Sequence, residues 1–234
     1  MPPEPLLEVR NLCIKLLPQR GILSGVSFDI PMGTITGLSG DSGSGKTTLA
    51  LALLKLLPPA DYDVSGQVLL RGRDLLALDE RALEPVRGAQ IAIIFQDPLL
   101  ALNPVLSIGR QINEVLRAHR AGGDPADLLA LAGIPAPRRI LSAYPHELSG
   151  GERQRATIAQ ALACKPALIV ADEPFTSLDA PRVVELAVLF RRLRDELRMS
   201  FLLISHHPGV LAAAADQLLV LRGGILARGE VHVR

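Results

Sequence analysis

Apolar residues in this chain come in short runs whose period changes along its length. Residues 7–14 and 26–30 are β-prone, with turn chemistry over 18–25 between them and Pro31-Met32-Gly33 closing the second run. That predicts two antiparallel strands. Residues 34–38, Thr-Ile-Thr-Gly-Leu, read as a short strand, and 47–57 form an apolar, helix-forming stretch that Pro58-Pro59 ends. A further strand is expected at 65–71, with turn residues 72–74 behind it, joining the N-terminal pair in a small sheet. The continuous apolar run 91–95, set between Gln90 and Gln96-Asp97-Pro98, has the pattern of a strand buried on both faces.

Between about residues 103 and 143 the period becomes helical. Ser107 is a candidate N-cap, and Ile108, Ile112, Val115 and Leu116 follow along one face before Pro125, Pro135 and Pro137 cut the stretch into short helices. This reads as an inserted helical subdomain. Alternation then resumes: helix 152–164, strand 167–171, helix 181–197, strand 201–205, and a hairpin of 217–221 and 225–228 turning at Gly223-Gly224. Strand and helix alternating in this way predict an α/β fold.

Composition narrows the function. With 234 residues, 48% hydrophobic, the chain can bury one sizeable α/β core with an appended subdomain. Its 25 Lys and Arg nearly balance 24 Asp and Glu, and aromatic residues are only 3%, which argues against nucleic acid as the main partner. Cys13 and Cys164 lie far apart, as suits a reducing cytosol, and offer neither a disulfide framework nor metal-ligand spacing. No apolar run reaches the roughly 18 residues of a membrane span, and Met-Pro-Pro-Glu-Pro lacks the plan of a signal peptide, so the chain is expected to be soluble. A mean hydropathy of +0.29 is high for such a chain and suggests apolar surface kept for a partner.

The chemistry begins at residues 40–48, Gly-Asp-Ser-Gly-Ser-Gly-Lys-Thr-Thr, which fit the phosphate-loop pattern without a gap. Glycines at 40, 43 and 45 admit backbone conformations that a Cβ forbids, so successive N–H groups can turn toward phosphate oxygens. Lys46 supplies a charge at the β- and γ-phosphates, the Thr47 hydroxyl faces a bound Mg²⁺, and the following helix aims its positive end at the anion. Strand, loop and helix in that order are what such a site needs.

Two more stretches add to it. Residues 168–173, Leu-Ile-Val-Ala-Asp-Glu, form an apolar strand ending in two carboxylates. Beside a phosphate loop, Asp172 is placed to hold Mg²⁺ through water and Glu173 to act as general base, whereas alone the pair could equally well mark a strand meeting solvent at a turn. Residues 148–155, Leu-Ser-Gly-Gly-Glu-Arg-Gln-Arg, put a second glycine-rich turn at the start of a helix. Ser149 can cap that helix, or Ser149, the Gly151 N–H and the helix dipole can together form a second anion nest. One nucleotide does not need two cradles from one chain, which is a first sign of dimerisation.

Six motifs in order resemble those of the nucleotide-binding subunit of ATP-binding cassette (ABC) transporters. Residues 40–47 resemble its Walker A, Gln96 its Q-loop glutamine, 148–154 its signature, 168–173 its Walker B with catalytic glutamate, Ser177-Leu178-Asp179 its D-loop, and His206 its switch histidine. The likeness covers essentially the whole chain at family spacing. It implies a phosphate-loop NTPase (RecA-like) α/β core in a single domain, 1–234, with a small N-terminal antiparallel β-subdomain and a helical subdomain inserted at about 97–150. ATP and Mg²⁺ are the implied cofactors. Gly40, Asp41, Ser42, Gly43, Ser44, Gly45, Lys46, Thr47 and Thr48, with Ser149, Gly150, Gly151 and Asp179, are the implied nucleotide contacts. Gln96, Glu173 and His206 are the implied catalytic residues, and Thr47, Gln96 and Asp172 the implied metal-binding ones.

Phe95-Gln96-Asp97-Pro98, Leu102-Asn103-Pro104 and Tyr144-Pro145-His146-Glu147 are most similar to importers of dipeptides, oligopeptides, and nickel or related metal complexes. The resemblance implies two ATPase subunits head to tail, membrane permease subunits contacting residues around 97–120, indirectly a substrate-binding protein, and a peripheral place on the cytoplasmic face of the inner membrane. A soluble ABC-type ATPase of repair or translation, and a weakly active partner subunit, are the alternatives. Three departures from the family pattern stand out: no adenine-stacking aromatic near residues 16–18, His207 where Asp is common, and Glu152 where Gln is common. The chain also stops at Arg234 without the longer C-terminal segment common in peptide-importer relatives.

Overall fold

The computed structural model describes residues 5–176 and 178–229. The N-terminal Met-Pro-Pro-Glu, Ser177 of the expected D-loop and residues 230–234 lie outside that description. In chain order, β1 (Pro5–Leu16) and β2 (Arg20–Pro31) form a hairpin, and β3 (Ile35–Gly40) leads into α1 (Lys46–Leu53). Next come β4 (Tyr62–Leu70), β5 (Arg73–Asp74), α2 (Glu80–Leu83) and β6 (Ile91–Ile94). The helical stretch holds α3 (Pro98–Ala101), α4 (Ile108–Ala118), α5 (Pro125–Leu131), α6 (Pro137–Ser142) and a 3₁₀ turn at Pro145–Glu147. The last part contains α7 (Gly150–Leu162), β7 (Leu168–Asp172), α8 (Ala180–Leu197), β8 (Ser200–Ser205), α9 (Pro208–Ala214), β9 (Gln217–Arg222) and β10 (Ile225–Gly229).

Two sheets result. The small one is antiparallel in the order β2-β1-β4-β5, so the strand at 62–70 does join the N-terminal hairpin. The larger has the order β10-β9-β3-β8-β7-β6 and is parallel except for β10. Its central strands β3, β7 and β8 are buried on both sides and alternate between two cores. Ile169, Ala171, Phe201 and Leu203 face the core shared with the helical stretch and α8. Leu168, Val170, Leu202 and Ile204 face the one shared with α1 and the antiparallel sheet. Phe190 of α8 fixes the first core, with ring centroids 6.2 Å from Phe175 and 5.3 Å from Phe201. Among the described residues no helix is long and apolar enough to cross a membrane.

Several boundaries differ from expectation, each for a local reason. The turn expected over 18–25 is confined to the three residues between β1 and β2, and β2 starts at Arg20. Gly25, at φ +62°, sits where the β1–β2 register shifts, so this glycine marks a bulge rather than a turn. Helix α1 stops at Leu53, short of 57, because Lys55 takes a left-handed conformation at φ +51°. Leu56 N–H then donates to Leu51 O at 2.9 Å and Lys55 N–H to Ala52 O at 3.0 Å. That is a Schellman stop made without its usual glycine. Helix α3 begins before 103, capped by Asp97, whose carboxylate accepts from Leu99 N–H at 2.8 Å, with Pro98 in the first turn. The run 91–95 sits at the sheet edge and ends at Ile94, leaving Phe95 42% exposed. Arg194 ties α8 to Asp216 at 2.6 Å.

Candidate nucleotide site

The carboxyl ends of β3, β6, β7 and β8 lie side by side, where open parallel sheets place their ligand crevices. Each sends one expected motif into the same cleft of about 410 Å³. Ser42, Gly43, Gly45, Lys46, Thr47 and Thr48 come from the loop after β3, Gln96 follows β6, Glu173 follows β7 and His206 follows β8. Gly40, Asp41 and Ser44 belong to the same loop without lining that cleft.

The loop's shape is set by its backbone. Gly45 has φ +100°, and a Cβ there would come within 2.9 Å of the Leu23 side chain on β2. The glycine therefore lets the loop pack against the hairpin. Lys46 is only 7% exposed, and its ammonium donates to the carbonyls of Gly40 and Asp41, each at 2.8 Å. The chain wraps around its own cation and holds it in the mouth of the loop.

Glu173 takes φ +50° directly after β7, with its N–H donating to Ile204 O at 2.9 Å. Its Oε1 accepts from the His206 backbone N–H at 2.9 Å and lies 2.9 Å from His206 Nδ1. Thr176 Oγ1 donates to Oε2 at 3.3 Å. The carboxylate is thus oriented by three polar contacts from two loops. His207, where Asp is common, packs its ring against that of His206, with centroids 3.9 Å apart.

Asp172 is 3% exposed, and its Oδ1 is one of two buried side-chain atoms without a hydrogen-bond partner among the described residues, the other being Ser44 Oγ. Burial raises its pKa above the ordinary carboxylate range; the Thr47 hydroxyl opposes this, Glu173 adds to it and Lys46 opposes it. An orphaned acceptor beside Thr47 and Lys46 has the donor chemistry a hydrated divalent cation needs. The sign of the linkage follows. A raised folded-state pKa means the fold binds more protons than the unfolded chain between the two values, so stability falls as pH rises through that window. Above it the charge costs stability in full. Asp172→Asn is therefore expected to raise the melting temperature of the nucleotide-free protein at neutral pH by about 2–4 °C, corresponding to about 1 kcal/mol. The gain should vanish below the window, which a pH series of thermal melts would show.

The second glycine-rich turn is separate. Ser149 caps α7 in a reciprocal box, with Glu152 N–H donating to Ser149 Oγ at 3.3 Å and Ser149 N–H donating to Glu152 Oε2 at 2.9 Å. The Ser149 N–H and hydroxyl hold the Glu152 carboxyl below its ordinary range. Gly150 and Gly151 line a different cleft, of about 550 Å³, which also meets Gln96 and Glu173 but no residue of the phosphate loop. Asp179 lines neither cleft and caps α8, accepting from Arg182 N–H at 3.1 Å. Gln154 of α7 bonds the Pro174 carbonyl, linking this turn to the loop that carries Glu173.

Leu16, at the position where the family pattern has an adenine-stacking aromatic, also lines the 410 Å³ cleft, as do Arg20 and Ile22, which were not expected there because residues 18–25 read as turn. The register of the hairpin, not any motif, brings them in.

This is a phosphate-loop α/β ATPase fold with an antiparallel sheet and a helical insertion flanking a nucleotide cleft. The family model described as ABC transporter matches residues 23–176, and the chain belongs to that family. It is 45% identical to the peptidoglycan transport ATP-binding protein YejF of Agrobacterium fabrum over 98% of this chain, and 40% identical to the oligopeptide transport ATP-binding protein OppD of Bacillus subtilis over 97%. It spans 44% of the length of the first and 66% of the second. The dipeptide transport ATP-binding protein DppD of Bacillus subtilis is 38% identical over 96% of this chain and 70% of its own length. Among solved structures, the dimeric bacterial ABC transporter cassette MJ0796 superposes with a TM-score of 0.83 at 25% identity, over 97% of this chain and 100% of that one.

Proposed function

We propose that this chain is the ATP-binding and ATP-hydrolysing subunit of an ABC transporter, powering import of peptides through separate membrane subunits at the cytoplasmic face of the inner membrane. The observation that carries the reading is the convergence of Lys46, Thr47, Gln96, Glu173 and His206 around one cleft, with the buried, unpartnered Asp172 oxygen next to it on an adjoining cleft that shares Thr47 and Gln96. Peptides are favoured over nickel or related metal complexes because the relatives above are named for peptidoglycan, oligopeptide and dipeptide transport.

In this reading the loop 40–48 holds the phosphates, and Thr47, Gln96 and Asp172 hold Mg²⁺, directly or through water. The ion supplies charge neutralisation at the phosphates. Glu173 takes the proton of the attacking water, and His206 keeps its carboxylate aimed. Ser149, Gly150, Gly151 and Asp179 serve a second chain's nucleotide. The helical segment 97–150 is the subdomain that meets the permease, and an external binding protein delivers the substrate.

The purified protein is expected to release phosphate from ATP only with Mg²⁺. Tagged in its native host, it should bring down two membrane permease subunits. ATP hydrolysis with no permease in the pull-down would favour a soluble ATPase instead.

A further inference from the structure

The hairpin of β1 and β2 brings a specific surface to the nucleotide cleft, and the inference drawn from it rests on the nucleotide reading above. Arg20 and Ile22 lie two apart on β2, next to a shift in the β1–β2 register, and both face the cleft. Leu16 is the direct cross-strand partner of Arg20, which puts it on the same face. All three line the cleft that holds Lys46 and Thr47. The hairpin is fastened there from two sides: Gly45 of the phosphate loop abuts the Ile22 and Leu23 side chains, and Ser24 N–H donates to Gly224 O at 2.8 Å. Ile22 is half-buried and Arg20 exposed, so the aliphatic part is fixed and the guanidinium is available.

A nucleotide with its phosphates on the loop must lay its base against whatever wall adjoins them. Flat apolar surface is what a base stacks on, yet none of the chain's two tyrosines or five phenylalanines lines this cleft. We propose that Arg20 is the base-stacking residue, its planar guanidinium lying on the purine while Leu16 and Ile22 pack against the rest. Arg combines a delocalised plane with weak hydration, which an ammonium lacks. Such a platform reads the face of the base rather than its edge, and every base has a π-face. Base selectivity is therefore low, with ATP and GTP binding within about threefold of each other.

The test compares the affinities of ATP, GTP and inorganic tripolyphosphate by calorimetry, the ratio of ATP to tripolyphosphate isolating what the nucleoside contributes. Arg20 is exposed in a hairpin, so its variants keep the fold. Arg20→Lys retains the charge and loses the plane: the ratio should fall about two- to fivefold, with tripolyphosphate binding unchanged. Arg20→Tyr should restore the ratio. An unaltered ratio in Arg20→Lys, or ATP preferred over GTP by more than about tenfold, would overturn the assignment. If the phosphate-loop reading itself were wrong, the unmodified protein would bind neither ATP nor tripolyphosphate, or Lys46→Ala would bind both as well.

Discussion

Glu173→Gln is expected to slow ATP turnover by about 10²- to 10³-fold while leaving ATP affinity within about twofold, because in the role proposed for Glu173 the change removes a general base and little else. Geometry makes the exchange nearly silent for the fold. Glutamine offers the same carbonyl oxygen to the His206 N–H that now donates to Oε1 at 2.9 Å. The backbone at φ +50° is held by the Glu173 N–H to Ile204 O bond, which does not depend on the side chain. What disappears is the one carboxylate among the described residues lining that cleft, and with it the capacity to take a proton. Steady-state phosphate release and equilibrium ATP binding, measured on the same preparation, separate the two effects. Turnover within a few-fold of the unmodified rate would place the base elsewhere.

Much of this site was legible because its chemistry is local in sequence. A glycine-rich loop before a helix, and an apolar strand ending in Asp-Glu, announce themselves within ten residues, and the sheet then aligns their carboxyl ends. The fold class followed from the alternation of period two and period 3.6 in the same way. What stayed hidden depends on register and on left-handed residues without glycine. Lys55 ends α1 in a conformation no sequence signal marks, and a bulge beside Gly25 turns an expected loop into a strand that delivers Arg20 and Ile22 to the cleft. Glu152 is a further case. Its sequence position suggested only a variant signature, whereas in the fold its carboxylate closes a capping box on Ser149.

The largest effect should come from mixing two inactive variants, because the two glycine-rich turns of one chain do not meet. No signature residue lines the cleft of the phosphate loop, and no phosphate-loop residue lines the cleft of Gly150 and Gly151. Nor does the chain's own fold require those two glycines. Neither has a positive φ, and a Cβ added at either meets nothing within 4 Å. Glycine at both positions makes sense where another molecule's phosphates approach the helix start closely, as at other helix N-termini that bind anions. Lys46→Ala should abolish the phosphate-loop half, and Gly151→Asp, which has room in the fold, should repel the phosphates at the other. Each alone is expected to hydrolyse ATP at background. In a head-to-tail dimer of one of each, the sound loop of the second faces the sound turn of the first, so one of the two sites is whole. Random pairing of equal amounts then restores about a quarter of the unmodified rate, since half the dimers are mixed and each has one working site. Phosphate release from the mixture, with pull-down of differently tagged chains to verify mixed dimers, decides the matter: mixed dimers without recovered hydrolysis would mean that each chain completes its own site.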